Sequence, residues 1–254
     1  MKRGKSFSEF FWVLCGIIFL LIIWEIISRL YDSFIIFPGP LSVLESFFRL
    51  LGDSRFYLSL WNSFLRVLGG IFIAVPLGIA AGIAAGLNKK LAAFLSPLFS
   101  IISATPVISV ILIAFLLLGT ARTPVFAAFL MIFPVVSTNI IEGIKNTNAG
   151  YRELFVSFHM NRMEKIKYLY FPVLLPFIFA SLKSSLSLCW KVIVAAEVIV
   201  QPLRSLGTGM QFARMNLETS ELFAWTIATI IASVISQLIL SLIIKKIPVK
   251  THEN

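Results

Sequence analysis

Charge is what this 254-residue sequence has least of: 13% of its residues are Asp, Glu, Lys or Arg, about half of the ~25% usual in soluble domains. So few charges cannot coat a water-facing surface, which excludes an ordinary soluble domain. Cysteine and histidine number 2 each. Cys15 and Cys189 sit inside apolar stretches with no CxxC spacing and no histidine nearby to complete a metal site, so both read as small membrane-core residues. No GxxxxGK[ST] segment occurs, which excludes ATP binding in the P-loop manner. HExxH is absent too, as are an intramembrane Ser/His pair and an Asp pair at metal spacing. An intramembrane enzyme therefore lacks its chemistry, and no catalytic residue or metal ligand is assigned.

What the chain does have is apolar residues, 58% of the total, with a mean hydropathy of +0.93. A membrane span needs about 20 mostly apolar residues to cross about 30 Å of hydrocarbon. Six segments qualify, at 8–28, 65–87, 97–118, 124–141, 173–200 and 223–245. The expected fold is an all-α polytopic bundle of about six transmembrane helices. The first segment follows a basic start but is too long for the apolar region of a cleaved signal and ends in Glu25, Ser28 and Arg29, so it reads as a span. Three regions follow: 1–60, a span plus an extracytoplasmic segment; 61–247, a core with a charged loop at 142–172; and 248–254, a tail.

The net charge of +10 reports topology in such a protein. Lys and Arg divide 13 to 7 in favour of the side that holds both termini and the 142–172 loop, which places those parts in the cytoplasm of a multi-pass membrane protein. The basic excess marks a membrane face and not a nucleic-acid site; the partner it implies is lipid.

Three features go beyond hydrophobicity. Gly78, Gly82 and Gly86 recur every fourth residue, a small-xxx-small stripe that lets helices pack closely. Pro97, Pro106, Pro124 and Pro134 punctuate the third and fourth segments, freeing backbone carbonyls that need a protein bundle or a wet cavity. The fifth segment carries Lys183, Ser187, Lys191 and Glu197, and ionisable groups at such depth face protein or water. One reading makes these four the lining of a path for a polar or anionic solute; the other makes them interhelical hydrogen bonds and snorkelling side chains.

Between Glu142 and Pro172 the chain turns polar. Leu154, Phe155 and Phe158 form an apolar patch on a candidate surface helix, and an exposed apolar face on a cytosolic loop wants a partner. Pro172 stands where a following helix would begin. Glu153 and Pro172 are 19 residues apart, with Leu169 and Phe171 between them. Further landmarks run in order: Asn62 to Arg66, Gly69-Gly70, Pro76-Leu77-Gly78, Ser96-Pro97-Leu98, Thr105-Pro106, Leu118-Gly119, Phe133-Pro134, Glu142-Gly143, Trp190, Ala195-Ala196-Glu197 and Ser205-Leu206-Gly207.

With these residues the sequence resembles the permease subunits of ATP-binding-cassette importers, in the nitrate/sulfonate/taurine/bicarbonate branch, over roughly residues 60 to 245. The resemblance implies a type I importer permease fold and a subunit that is not itself an enzyme. It also implies a homodimer of permeases, an ATPase subunit that binds ATP and Mg, and an extracytoplasmic solute-binding protein, with no cofactor of the chain's own. The family's loop pattern is Glu-Ala-Ala, three residues, Gly, nine residues, Ile-x-Leu-Pro. Carried over, Glu153, Leu154, Phe155, Phe158, His159, Asn161, Met163 and Pro172 form the ATPase-coupling loop. The pattern departs at Leu154-Phe155, where the family has Ala-Ala, and at His159, where it has Gly; Asn161 is the alternative residue for the bend. A rival reading is an ion- or proton-coupled secondary transporter using Lys191 and Glu197, which requires charged residues in symmetry-related spans.

Overall fold

The computed structural model describes residues 7–31, 36–147, 161, 164 and 171–246, and among them the chain is helical, with no strand. Eight helices follow in order: α1 Phe7–Leu30, α2 Pro40–Leu51, α3 Ser54–Leu87, α4 Lys89–Ala104, α5 Val107–Lys145, α6 Phe171–Val200, α7 Leu206–Met215 and α8 Thr219–Lys246. Five of these are long and apolar enough to cross a membrane: Phe11–Leu30 within α1, then α3, α5, α6 and α8.

The ends of the helices follow from local chemistry. Pro40 opens α2, where its missing N–H costs nothing. The Asp53 carboxylate accepts from the Arg55 amide and starts α3. Asn88 closes α3 with its own amide and starts α4 by accepting from Lys90 and Leu91, so one residue turns the chain between two helices.

The polar stretch expected between the first two spans is largely helical, because α2 fills part of it and α3 begins eleven residues before the predicted start at 65. Arg66, counted among the seven basic residues on the side opposite the termini, is therefore well inside a helix. The link expected at 119–123 is a single-residue break: Gly119, at φ 71°, interrupts α5. At 1.5 Å per residue a straight α5 would be about 58 Å long, roughly twice the hydrocarbon thickness, so the break divides it into 107–118 and 120–145. The predicted third span is likewise divided, between α4 and the start of α5, at Thr105-Pro106.

The core is the seam between α3 and α5, closed from the other side by α6. Gly78 lies against Val136, Gly82 against Ile140 and the Ser137 carbonyl, and Gly86 against Ile144. Each step of four residues on α3 meets a step of four on α5, so two backbones approach where no Cβ intervenes. Ser137 Oγ crosses the seam to the Gly78 carbonyl at 3.1 Å. Val136, Ile140, Trp190 and Ile193 are among the fully enclosed side chains. α1, by contrast, is held near its C-terminal end, by Trp24 Nε1 donating to the Pro38 carbonyl at 3.0 Å and Ser28 Oγ donating to the Phe37 carbonyl at 3.0 Å.

A Cβ added at Gly82 falls 2.6 Å from Ile140 Cβ and 2.8 Å from the Ser137 carbonyl, whereas one added at Gly16 meets nothing within 4 Å. Gly82→Ala is expected to lower stability by about 1–3 kcal/mol through overpacking, and Gly16→Ala to leave it unchanged. Thermal unfolding of the two variants in detergent measures the difference.

Candidate functional site

The polar residues of α6 divide into two groups. Lys183, Ser184 and Lys191 are exposed on the isolated chain, and Ser187 between them is half-buried. At 100° per residue, positions 183, 187 and 191 advance by only 40° at each step, so they form one stripe along the helix. Neither lysine has a hydrogen bond or an ion pair among the described residues, and α6 is one of the five candidate spans. The stripe is thus two uncompensated ammonium groups on a membrane helix.

Glu197 does not belong to that stripe. It is fully buried, and three groups converge on its carboxylate. Ser63 Oγ lies 2.9 Å from Oε1 and 2.8 Å from Oε2. Arg66 donates to Oε1 at 2.8 Å, and the Gly207 amide donates to Oε2 at 3.2 Å. Ser63 Oγ in turn accepts from the Leu206 amide at 3.0 Å. The broad polar sector read from the sequence is therefore corrected to an exposed lysine stripe and a separate buried carboxylate.

The carboxylate fastens three helices. Ser63 and Arg66, three residues apart on α3, present their side chains from one face; Glu197 comes from the end of α6; Leu206 and Gly207 open α7. A negative charge at the first turn of α7 also matches the partial positive charge of a helix N-terminus. The turn entering α7 is strained, with Gln201 at φ 47° and Arg204 at φ 50°, both in the left-handed region. Bonds on either side hold it: Asn62 Nδ2 donates to the Arg204 carbonyl at 3.0 Å, and Thr208 Oγ1 donates to the Pro202 carbonyl at 2.7 Å. Gly207 is required by proximity, since a Cβ there would stand 2.5 Å from Glu197 Cβ.

Arg66 and Ser63 are the site residues that sequence reasoning missed. Both were read only as landmarks at the start of the second span, yet the signal was present: an arginine three residues after a serine, running directly into an apolar helix. Glu25, the acidic residue near the end of the first span, pairs with Arg29 at 2.6 Å on its own helix.

Of the predicted loop, Glu153, Leu154, Phe155, Phe158, His159 and Met163 lie outside the described residues. Asn161 and Glu164 are described and cap one another: the Asn161 amide donates to Glu164 Oε2 at 2.8 Å, and the Glu164 amide to Asn161 Oδ1 at 2.9 Å. This reciprocal pair is the capping-box arrangement of a helix start, so Asn161 occupies a helix N-cap geometry. Pro172 is exposed in the first turn of α6 as described. No cluster of His, Cys, Asp and Glu able to hold a metal occurs among the described residues.

Residues 74–248 match the family described as binding-protein-dependent transport system inner membrane component. The chain is 30% identical over 208 residues to a bicarbonate transport system permease protein of Synechococcus elongatus, covering 76% of this chain and 73% of that one. It is 27% identical over 213 residues to the taurine transport system permease protein of Escherichia coli, covering 82% and 77%. A chain in a structure of inward-facing conformations of a methionine ABC transporter superposes with a TM-score of 0.60 at 15% identity, covering 74% of this chain and 92% of that one. At that identity the likeness is one of fold.

The Glu197 network yields a stability prediction. Removing one partner of a buried ion pair leaves an uncompensated charge and costs about 3–5 kcal/mol. Arg66→Met is expected to approach that loss, and adding Glu197→Gln to it to recover part of it. A double-mutant cycle of thermal unfolding in detergent measures the recovery.

Proposed function

The chain belongs to the family of binding-protein-dependent transport system inner membrane components, and on that premise we propose that it is the permease subunit of an ATP-driven importer of a small polar or anionic solute. It is a multi-pass membrane protein and a transport component, not an enzyme. Relatives named for bicarbonate, nitrate, taurine and aliphatic sulfonates support an anionic or zwitterionic cargo. A thiamine-precursor-like solute is a second class within the same proposal.

The observation that carries this reading is the position of Lys191. An ammonium group near the middle of a membrane helix costs about 2.5–3.5 kcal/mol on insertion scales. Lys191 is exposed, so in the assembled transporter it faces water, solute or a second copy of the chain. We assign Lys183, Ser187 and Lys191 to the wall of the translocation path, completed by a second permease. Glu197 serves this path indirectly, by fixing the α6–α7 turn.

The motor lies elsewhere. A separate ATPase subunit binds ATP and Mg and docks on the cytoplasmic segment from Glu153 to Met163, while a solute-binding protein delivers cargo to the opposite face. Both termini lie in the cytoplasm in this arrangement. Closure of the ATPases draws the docked segments together, and the two bundles rock between inward-open and outward-open states. A proton-coupled secondary transporter finds less support, because Glu197 is already saturated by Arg66, Ser63 and Gly207.

Two measurements test the proposal. In membrane vesicles containing the complete importer, Lys191→Met is expected to reduce ATP-dependent uptake at least tenfold while Lys191→Arg retains most of it; undiminished uptake by Lys191→Met argues against the path assignment. Phe155→Asp is expected to abolish co-purification of the ATPase. Uptake that collapses with a protonophore but survives loss of the ATPase argues instead for secondary transport.

A further inference from the structure

Residues 201–218 join two candidate spans, α6 and α8, and fold α7 between them. With 10 residues, α7 is about 15 Å long and too short to cross hydrocarbon. One face of it is buried, through Leu206, Met210 and Ala213. The opposite face and the two flanking turns show large apolar side chains: Leu203 is 82% exposed, Phe212 58%, Met215 65% and Leu217 70%. Outside a membrane span, a cluster of that kind marks a binding surface.

Backbone strain holds this surface in place. The three non-glycine residues at positive φ among the described residues all lie here: Gln201 at 47°, Arg204 at 50° and Leu217 at 59°. Left-handed backbone is costly for such residues and persists where surrounding bonds fix it, as at ligand clamps and switches. On the entering side those bonds come from Asn62 and Thr208. On the leaving side the Leu217 amide donates to the Arg214 carbonyl at 3.2 Å, and the Glu218 amide to the Ala213 carbonyl at 2.9 Å. Lipid conforms to whatever surface it meets, whereas a preset surface lowers the ordering cost of binding a folded partner.

Charge and position narrow the partner. Residues 201–217 carry Arg204 and Arg214 and no Asp or Glu. Both arginines are exposed, and neither has a carboxylate partner among the described residues; Arg214 Nη1 reaches only Gln211 Oε1, at 3.5 Å. The complementary surface is acidic around an apolar centre. The segment also continues α6 directly. Beyond its second turn the exposed positions of α6 are Ala180, Lys183, Ser184, Lys191 and Ala195, with no large apolar side chain such as a lipid-facing helix shows. Leu203 and Arg204 therefore stand at the outer end of the lysine stripe, at the mouth of the proposed path. Resting on the importer reading, we infer that α7 and its flanking turns are the landing surface for the solute-binding protein, which sets acidic side chains against Arg204 and Arg214 and apolar ones against Leu203, Phe212 and Leu217.

The test uses the complete importer in nanodiscs, with the solute-binding protein that stimulates its ATPase as the probe. Phe212→Ser combined with Arg214→Glu is expected to raise the Kd of that protein at least tenfold and to abolish the weakening of binding by salt, with the thermal unfolding midpoint of the permease unchanged. Leu217→Gly, which suits the left-handed backbone but frees it, is expected to raise the Kd several-fold; a residue serving the fold alone would leave it unaltered. In whole cells, a photoreactive benzoylphenylalanine in place of Phe212 is expected to attach to the same binding protein. Wild-type affinity in both variants, or attachment at position 212 to a second copy of the permease or to lipid, would overturn the inference while the importer reading stands. A wild-type importer whose ATPase no solute-binding protein stimulates would overturn both.

Discussion

Hydrocarbon accepts a charge only where something compensates it, and that constraint sorts the features of this protein. The chain places three ionisable groups on α6. Glu197 is compensated within the chain, by Arg66, Ser63 and the start of α7. Lys183 and Lys191 have no ion pair among the described residues and remain on the surface. One helix thus carries an internal fastening at its end and an external demand along its face. The fold answers the first alone, and in the proposed assembly an aqueous path answers the second.

Shape is set by small residues and breaks. The glycines of α3 let α5 lie against it along Val136, Ile140 and Ile144, and a close-packed seam of this kind moves as a unit. Chain direction changes at Gly119 and at Thr105-Pro106. Prolines inside α3, α4, α5 and α6 are accommodated without ending their helices, with Ser137 and Thr138 donating to carbonyls around Pro134. A rigid α3–α5 body and a fastened α6–α7 turn are the parts that a rocking mechanism requires.

Much of this was legible in the sequence. Long apolar runs gave the positions of most spans to within a few residues, because burial in lipid demands continuous hydrophobicity and leaves a strong pattern. The Gly78, Gly82 and Gly86 stripe was visible for the same reason, as a period of four on one helix, although the helix it meets was not. The Glu197 network was hidden: Glu197 stands 131 positions from Arg66 and 134 from Ser63, and no local pattern joins residues so far apart. Arg66 was misread because positive charge near a span end looks like a topology signal. Gly119 was misread because a break one residue long and a short loop have the same composition. The ordered landmarks around the Glu153-to-Pro172 spacing carried the family likeness, and the family match over residues 74–248 follows that same stretch.

The central claim is that the lysine stripe of α6 faces water or solute in the assembled transporter. It is tested most directly by replacing Lys191 with cysteine in a background lacking Cys15 and Cys189, and reacting the intact importer with a membrane-impermeant thiol reagent during turnover. The account predicts rapid modification, slowed by transported solute. Modification by a lipid-soluble maleimide alone, with the impermeant reagent inert in every nucleotide state, would contradict it.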